Sequence, residues 1–104
     1  MPYEDFNIIL GDDCFMVVEF FTVNGQVVSF VVRLVWVRSD GTKFTVARYD
    51  TAHGRAHLDT VNKAGRLLSK RWLFDMGFKD ALSYSIQDFR QHHETYIKAF
   101  RARH

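Results

Sequence analysis

Between Cys14 and Asp50 the chain is crowded with β-branched and aromatic residues. From Phe78 onward the apolar spacing lengthens to about 3.6 residues. Cys14–Val23 (CFMVVEFFTV) and Gln26–Arg38 (QVVSFVVRLVWVR) read as strands. Asn24-Gly25 between them suits a type I′ turn, because both residues tolerate positive φ. Asp40-Gly41 repeats the device ahead of a third strand, Thr42–Asp50. The chain loosens through Thr51–Gly54, and Arg55–Val61 and Arg66–Leu73 then predict a further hairpin around Asn62-Lys63-Ala64-Gly65. Two-residue turns would set Phe21 opposite Val28, Glu19 opposite Phe30, Val37 opposite Phe44 and Arg33 opposite Arg48. Across the Asn62–Gly65 turn, His57 would face Lys70 and Asp59 would face Leu68.

In the C-terminal quarter, Leu82, Ile86, Phe89, His93, Tyr96 and Phe100 form one stripe, with Ala81, Ser85 and Ile97 at its margins. Asp88, Arg90, Gln91 and Glu94 take the other side. Asp75 and Gly77 suit the N-terminal cap, Asp80 lies in the first turn, and Arg101 and Arg103 end the helix as its dipole prefers. The expected fold is therefore α+β and a single domain over residues 1–104. An antiparallel β-meander of four to five strands (about residues 14–73) carries one long C-terminal amphipathic helix (about residues 78–101) packed on one face. A half-open barrel wrapping the helix is the alternative.

That register makes both sheet faces apolar. Phe21, Val28, Phe30, Val32, Leu34 and Trp36 would share one, and Val18, Phe20, Val31, Val35, Val37 and Phe44 the other. One helix covers one face, so the second needs a partner or strong curling. The expected partner is a second copy, docked through Val18, Phe20, Val31 and Val35.

Composition narrows the function. At 47% apolar and 25% charged, the chain is an ordinary globular domain. Its most apolar stretch, Cys14 to Val32, is broken by Glu19, Asn24, Gly25, Gln26 and Ser29, so no membrane span is expected. No secretory signal opens the chain, and a cytoplasmic location is expected. Lone Cys14 forms no internal disulfide and supports no cysteine-based zinc site. No P-loop, GxGxxG or GxSxG element is present, which argues against nucleotide-dependent enzymes and α/β-hydrolases. Charge is uneven: all 14 Lys and Arg lie beyond residue 32, while Glu4, Asp5, Asp12, Asp13 and Glu19 precede it. Either the two halves cancel in the fold, or the basic half meets RNA, DNA or an acidic partner.

Residues 48–60 hold the densest chemistry: Arg48, Tyr49, Asp50, His53, Arg55, His57 and Asp59. Arg33 beside Arg48, with Asp50 on the same face, reads either as a self-satisfied Arg–Asp–Arg cluster or as a forked pocket for phosphate or carboxylate. His53 and His57 can transfer protons near neutral pH, and Asp59 leaves the same strand face as His57, close enough to orient its ring. With Arg33, Arg48 and Lys70 on phosphate, His53, His57 and Asp59 would assemble metal-free RNA cleavage. Tyr49 and Asp50 would orient the site. The bland alternative leaves the histidines bonded to backbone. A site of His53, His57 and Asp59 for a single metal ion matches no strong spacing signature, and neither metal nor cofactor is expected.

The order Arg-Tyr-Asp-Thr-Ala-His-Gly…His-Leu-Asp resembles a small prokaryotic family with an RYDxxHG…H element after a β-hairpin and a long C-terminal amphipathic helix. It is also loosely similar to the toxins of TumE-type toxin–antitoxin pairs, whose RYDN…HH element is followed by more histidines than here. The resemblance implies a small toxin-like or mobile-element protein acting on RNA, with an antitoxin-like protein partner. The alternative is a non-catalytic protein-interaction module or a homodimerising domain.

Overall fold

The computed structural model describes residues 2–73 and 75–103, with His53 described by its backbone alone. Six antiparallel strands run in simple chain order: β1 (Tyr3–Gly11), β2 (Cys14–Val23), β3 (Gln26–Val37), β4 (Lys43–Asp50), β5 (His57–Val61) and β6 (Leu67–Trp72). A single 3₁₀ turn, Ala52–Gly54, joins β4 to β5, and the helix α1 (Phe78–Ala102) packs against β3 and β4. The fold is α+β, with one helix on one face of a meander.

One strand more is present than the four to five expected. β1 carries Glu4, Asp5 and Asn7 among its apolar residues and is mostly exposed, because it lies at the sheet edge, where Ile8 and Leu10 pack against the core and residues 3–7 stay exposed.

The first hairpin turns as expected: Asn24 and Gly25 have φ of 52° and 77°, and Val23 pairs with Gln26. Two residues later Val28 is inserted as a bulge, so Phe21 faces Ser29 and Phe20 faces Phe30. The expected pairs Phe21–Val28 and Glu19–Phe30 are thereby displaced by one residue. Asp40-Gly41 is not a two-residue turn. Arg38 N–H donates to the Thr42 carbonyl at 2.8 Å, closing a three-residue loop in which Gly41 has φ of 88°. Asp40 holds the loop by accepting from the Thr42 N–H and the Arg38 guanidinium. A second bulge at Val46 restores the register, and Arg33 does face Arg48. The turn between β5 and β6 has the same form, closed by Asn62 and Arg66 around Gly65. With a bulge at Leu68, His57 faces Trp72 and Asp59 faces Lys70, not Lys70 and Leu68.

These shifts redistribute the faces. Met16, Val18, Phe30, Val32, Leu34, Trp36, Ala47 and Tyr49 form the buried core under α1, and Phe20 and Phe44 pack against it. On α1 the buried residues are Ala81, Leu82, Ser85, Phe89, Ile97 and Phe100, so Ala81, Ser85 and Ile97, expected at the margin of the stripe, belong to its buried face. Gly77 takes the N-cap position expected of Asp75 or Gly77. Val18 and Phe20 lie on the helix side, whereas Val31 and Val35 lie on the other. The dimer seam drawn from those four residues is therefore not one surface. The uncovered face carries Phe15, Val17, Phe21, Val31, Val35 and Val37, together with Glu19, Arg33 and Arg48.

Candidate functional site

On that uncovered face, at its β4–β5 end, the sequence brings Arg48, Asp50, His57, Asp59 and Lys70 together. Strand alternation places Arg48 and Asp50 on one side of β4, and His57 and Asp59 on the same side of β5. The pairings Arg48–Asp59, Asp50–His57 and Asp59–Lys70 then knit three strands. His57 is 1% exposed and occupied at both ring nitrogens. Its Nδ1 lies 3.0 Å from the Arg55 carbonyl, which only accepts, so Nδ1 carries the proton. Its Nε2 lies 2.9 Å from Asp50 Oδ1 and 3.6 Å from Asp59 Oδ2. The Trp72 ring, its centroid 5.0 Å from that of His57, lies against the imidazole.

The carboxylates are equally engaged. Arg48 spans both, Nε at 2.9 Å from Asp50 and a terminal nitrogen at 3.1 Å from Asp59. Lys70 Nζ lies 3.1 Å from the other oxygen of Asp59. Asp50 also accepts from the Ala52 N–H at 2.9 Å, which starts the 3₁₀ turn. Burial alone would push the Asp59 carboxyl up, but Lys70, Arg48 and His57 outweigh it and hold the group below its ordinary value. One atom from each of Asp50, His57 and Asp59 falls within 4.8 Å of the others, a donor set that could hold a metal ion. The two cations already seated on the carboxylates make the arrangement a charge-matched ion network instead: a divalent ion would add its charge to that of Arg48 and Lys70.

Of the expected site residues, Arg48, Asp50, His57, Asp59 and Lys70 converge. Lys70 binds Asp59 instead of pointing to a phosphate beside Arg48. Arg33 stands next to Arg48 but pairs with Glu19 at 3.3 Å. Both guanidiniums border a cleft of about 520 Å³ whose lining includes Phe21, Val31 and Thr51. The His53 side chain lies outside the described residues. Tyr49 points to the opposite face and has no part in this site; it is fully buried, its hydroxyl donating to Asp88 at 2.5 Å.

That contact belongs to a second polar cluster, which sequence reading missed by placing Asp88 on the solvent side of α1. Asp88 Oδ2 accepts from Tyr49 and, at 2.6 Å, from Tyr96, while Oδ1 lies 3.0 Å from His92 Nδ1. Arg71 on β6 donates to the Tyr49 hydroxyl at 3.3 Å. Burial first, then the Asp88 carboxylate, pushes Tyr96 up to about 12, and Tyr49 rises for the same reasons. The signal was a polar line at helical spacing: Tyr84, Asp88, His92 and Tyr96. On this flank it latches helix to sheet. Cys14 is buried, and burial raises its thiol further from the reactive thiolate.

Among the described residues no helix is long and apolar enough to cross a membrane. Neither a curated protein nor a solved structure matches the chain. One family model matches it along residues 1–104, and by that match the chain belongs to the family described as Domain of unknown function (DUF7718).

Proposed function

We propose that the protein is a non-catalytic protein-interaction module, and that it docks a partner protein on the sheet face opposite α1. The observation that carries this reading is the mismatch between the two faces. The helix covers one, while the other bears Phe15, Val17, Phe21, Val31 and Val37 with no helix packed on it among the described residues. Its charges favour a protein over a polyanion. Arg33, Arg48 and Lys70 are matched one for one by Glu19, Asp50 and Asp59. A nucleic-acid surface carries cationic excess, whereas a neutral mixed rim around apolar side chains suits a protein partner of apolar centre and mixed polar edge. On this reading His57 ties β4 to β5.

A toxin-like protein acting on RNA is the second reading. It is favoured by the adjacency of Arg33 and Arg48 at an open cleft and by the resemblance of the Arg48–Asp59 segment to TumE-type toxins. One pair of assays separates the two. In the first, wild type and Phe21→Lys/Val31→Lys are used as bait in an extract of the native host. In the second, RNA is incubated with wild type and His57→Ala in EDTA. We expect one protein to be held by wild type and lost by the double variant, and RNA to remain intact throughout. RNA cleaved by wild type but spared by His57→Ala would overturn the interaction reading in favour of the second.

A further inference from the structure

The two outer edges of the sheet are complementary to each other. In a meander of linear order, β1 and β6 are the end strands, and neither has a strand partner on its outer side among the described residues. Both are exposed along most of their length, including Phe6 and Ile9 on β1 and Leu67 and Leu68 on β6. A bare edge with apolar side chains is a template for another strand. The edges also carry opposite charge. Glu4 and Asp5 lie at the start of β1, and Lys70 and Arg71 at the end of β6. Glu4, Asp5 and Arg71 make no ion pair among the described residues.

We infer that β1 of one copy of this chain pairs with β6 of another, continuing the sheet through Glu4–Arg71 and Asp5–Lys70 contacts. Strand direction permits it. The sheet has an even number of antiparallel strands, so a second copy set in the same orientation brings its β1 antiparallel to β6. In that arrangement the beginning of β1 meets the end of β6, which is where the acids and bases lie. Side-chain faces agree as well. Arg71 shares the helix side with Leu58, and Glu4 shares it with Phe20, its partner on β2. Asp5 and Lys70 both point to the uncovered side, since they pair with Glu19 and Asp59. A register that sets Glu4 opposite Arg71 therefore sets Asp5 opposite Lys70, Tyr3 opposite Trp72 and Phe6 opposite Ser69. Every acid meets a base, and two aromatic rings meet on the uncovered side. The contact is heterologous, edge to opposite edge, and involves the end strands without the middle of the uncovered face or the helix.

The experiment is sedimentation of the full chain over a concentration series, at about 20 mM and about 500 mM salt. Wild type should show mass above one chain that rises with concentration and recedes at the higher salt. Glu4→Lys/Asp5→Lys changes two exposed side chains, so the fold, checked by circular dichroism, should persist while association weakens about tenfold or more. Mixing that variant with an Arg71→Glu chain should recover part of the association, because one of the two reversed charges, that at position 4, then meets its opposite at position 71. Val37→Lys, on the uncovered face at β3 and away from both edges, should leave it unchanged. A single-chain mass at millimolar protein in low salt would overturn the inference. So would association that survives the double Lys variant or is abolished by Val37→Lys.

Discussion

His57 shows how burial converts a reactive side chain into a fastener. Its Nδ1 proton is fixed on the Arg55 carbonyl, its Nε2 faces two carboxylates, and Trp72 lies against its ring. Truncation to alanine would open a cavity and leave Asp50 and Asp59 without the group between them. Removing one member of a buried charged cluster typically costs about 3 kcal/mol or more. For a domain of this size that corresponds to a fall in Tm of roughly 12–20 °C. A thermal melt of His57→Ala tests this: a change of a few degrees at most would mean that the imidazole is dispensable to the fold. Arg48 has the complementary position, half exposed and spanning both carboxylates, so it joins the buried network to the open cleft.

Between elements, the contact of most consequence is the latch of α1 onto β4 through Asp88, Tyr96 and Tyr49. Tyrosine in the unfolded chain ionises near pH 10, whereas Tyr96 is pushed to about 12. The folded state therefore keeps its proton where the unfolded chain has lost it. The stabilisation is complete below about pH 10 and is lost as pH rises from about 10 to about 12. Melts of wild type and Tyr96→Phe over that range should show a steeper alkaline decline in wild type. Parallel slopes would mean that Tyr96 is not linked to folding. The latch was hidden because Asp88 reads as part of the solvated face and Tyr96 as part of the apolar stripe until Tyr49 from β4 reaches the first of them. The bulges were hidden for a related reason: the inserted residues Val28 and Leu68 each repeat the ladder residue before them, and Val46 follows the equally β-branched Thr45. What could be read were features with a local cause. Asn24-Gly25 announced its turn, the 3.6-residue period announced α1, and alternation alone put His57 with Asp59 and Arg48 with Asp50. Arg33 faces Arg48 as read, but only because the Val46 bulge cancels the offset introduced by the three-residue loop.

For the whole molecule, every strand pairs with its neighbour in the chain. Strand pairings therefore reach no further along the chain than from Cys14 to Trp36, whereas the docking of α1 on β3 and β4 joins its end to its first half. A topology of this kind folds on the order of milliseconds, in a single exponential phase. Stopped-flow refolding tests this; a dominant phase lasting seconds would imply that helix docking is held up by some earlier arrangement. The same chain order has a consequence in the cell. The apolar side of β2, β3 and β4 is complete once Asp50 has been made, yet its cover, α1, ends 52 residues later at Ala102. At about 5–20 residues per second, ribosomal synthesis leaves that surface without its lid for roughly 3–10 s, far longer than folding itself takes. Each newborn copy therefore spends about half of its synthesis as an open sheet, an interval that slower translation lengthens and a chaperone could shield.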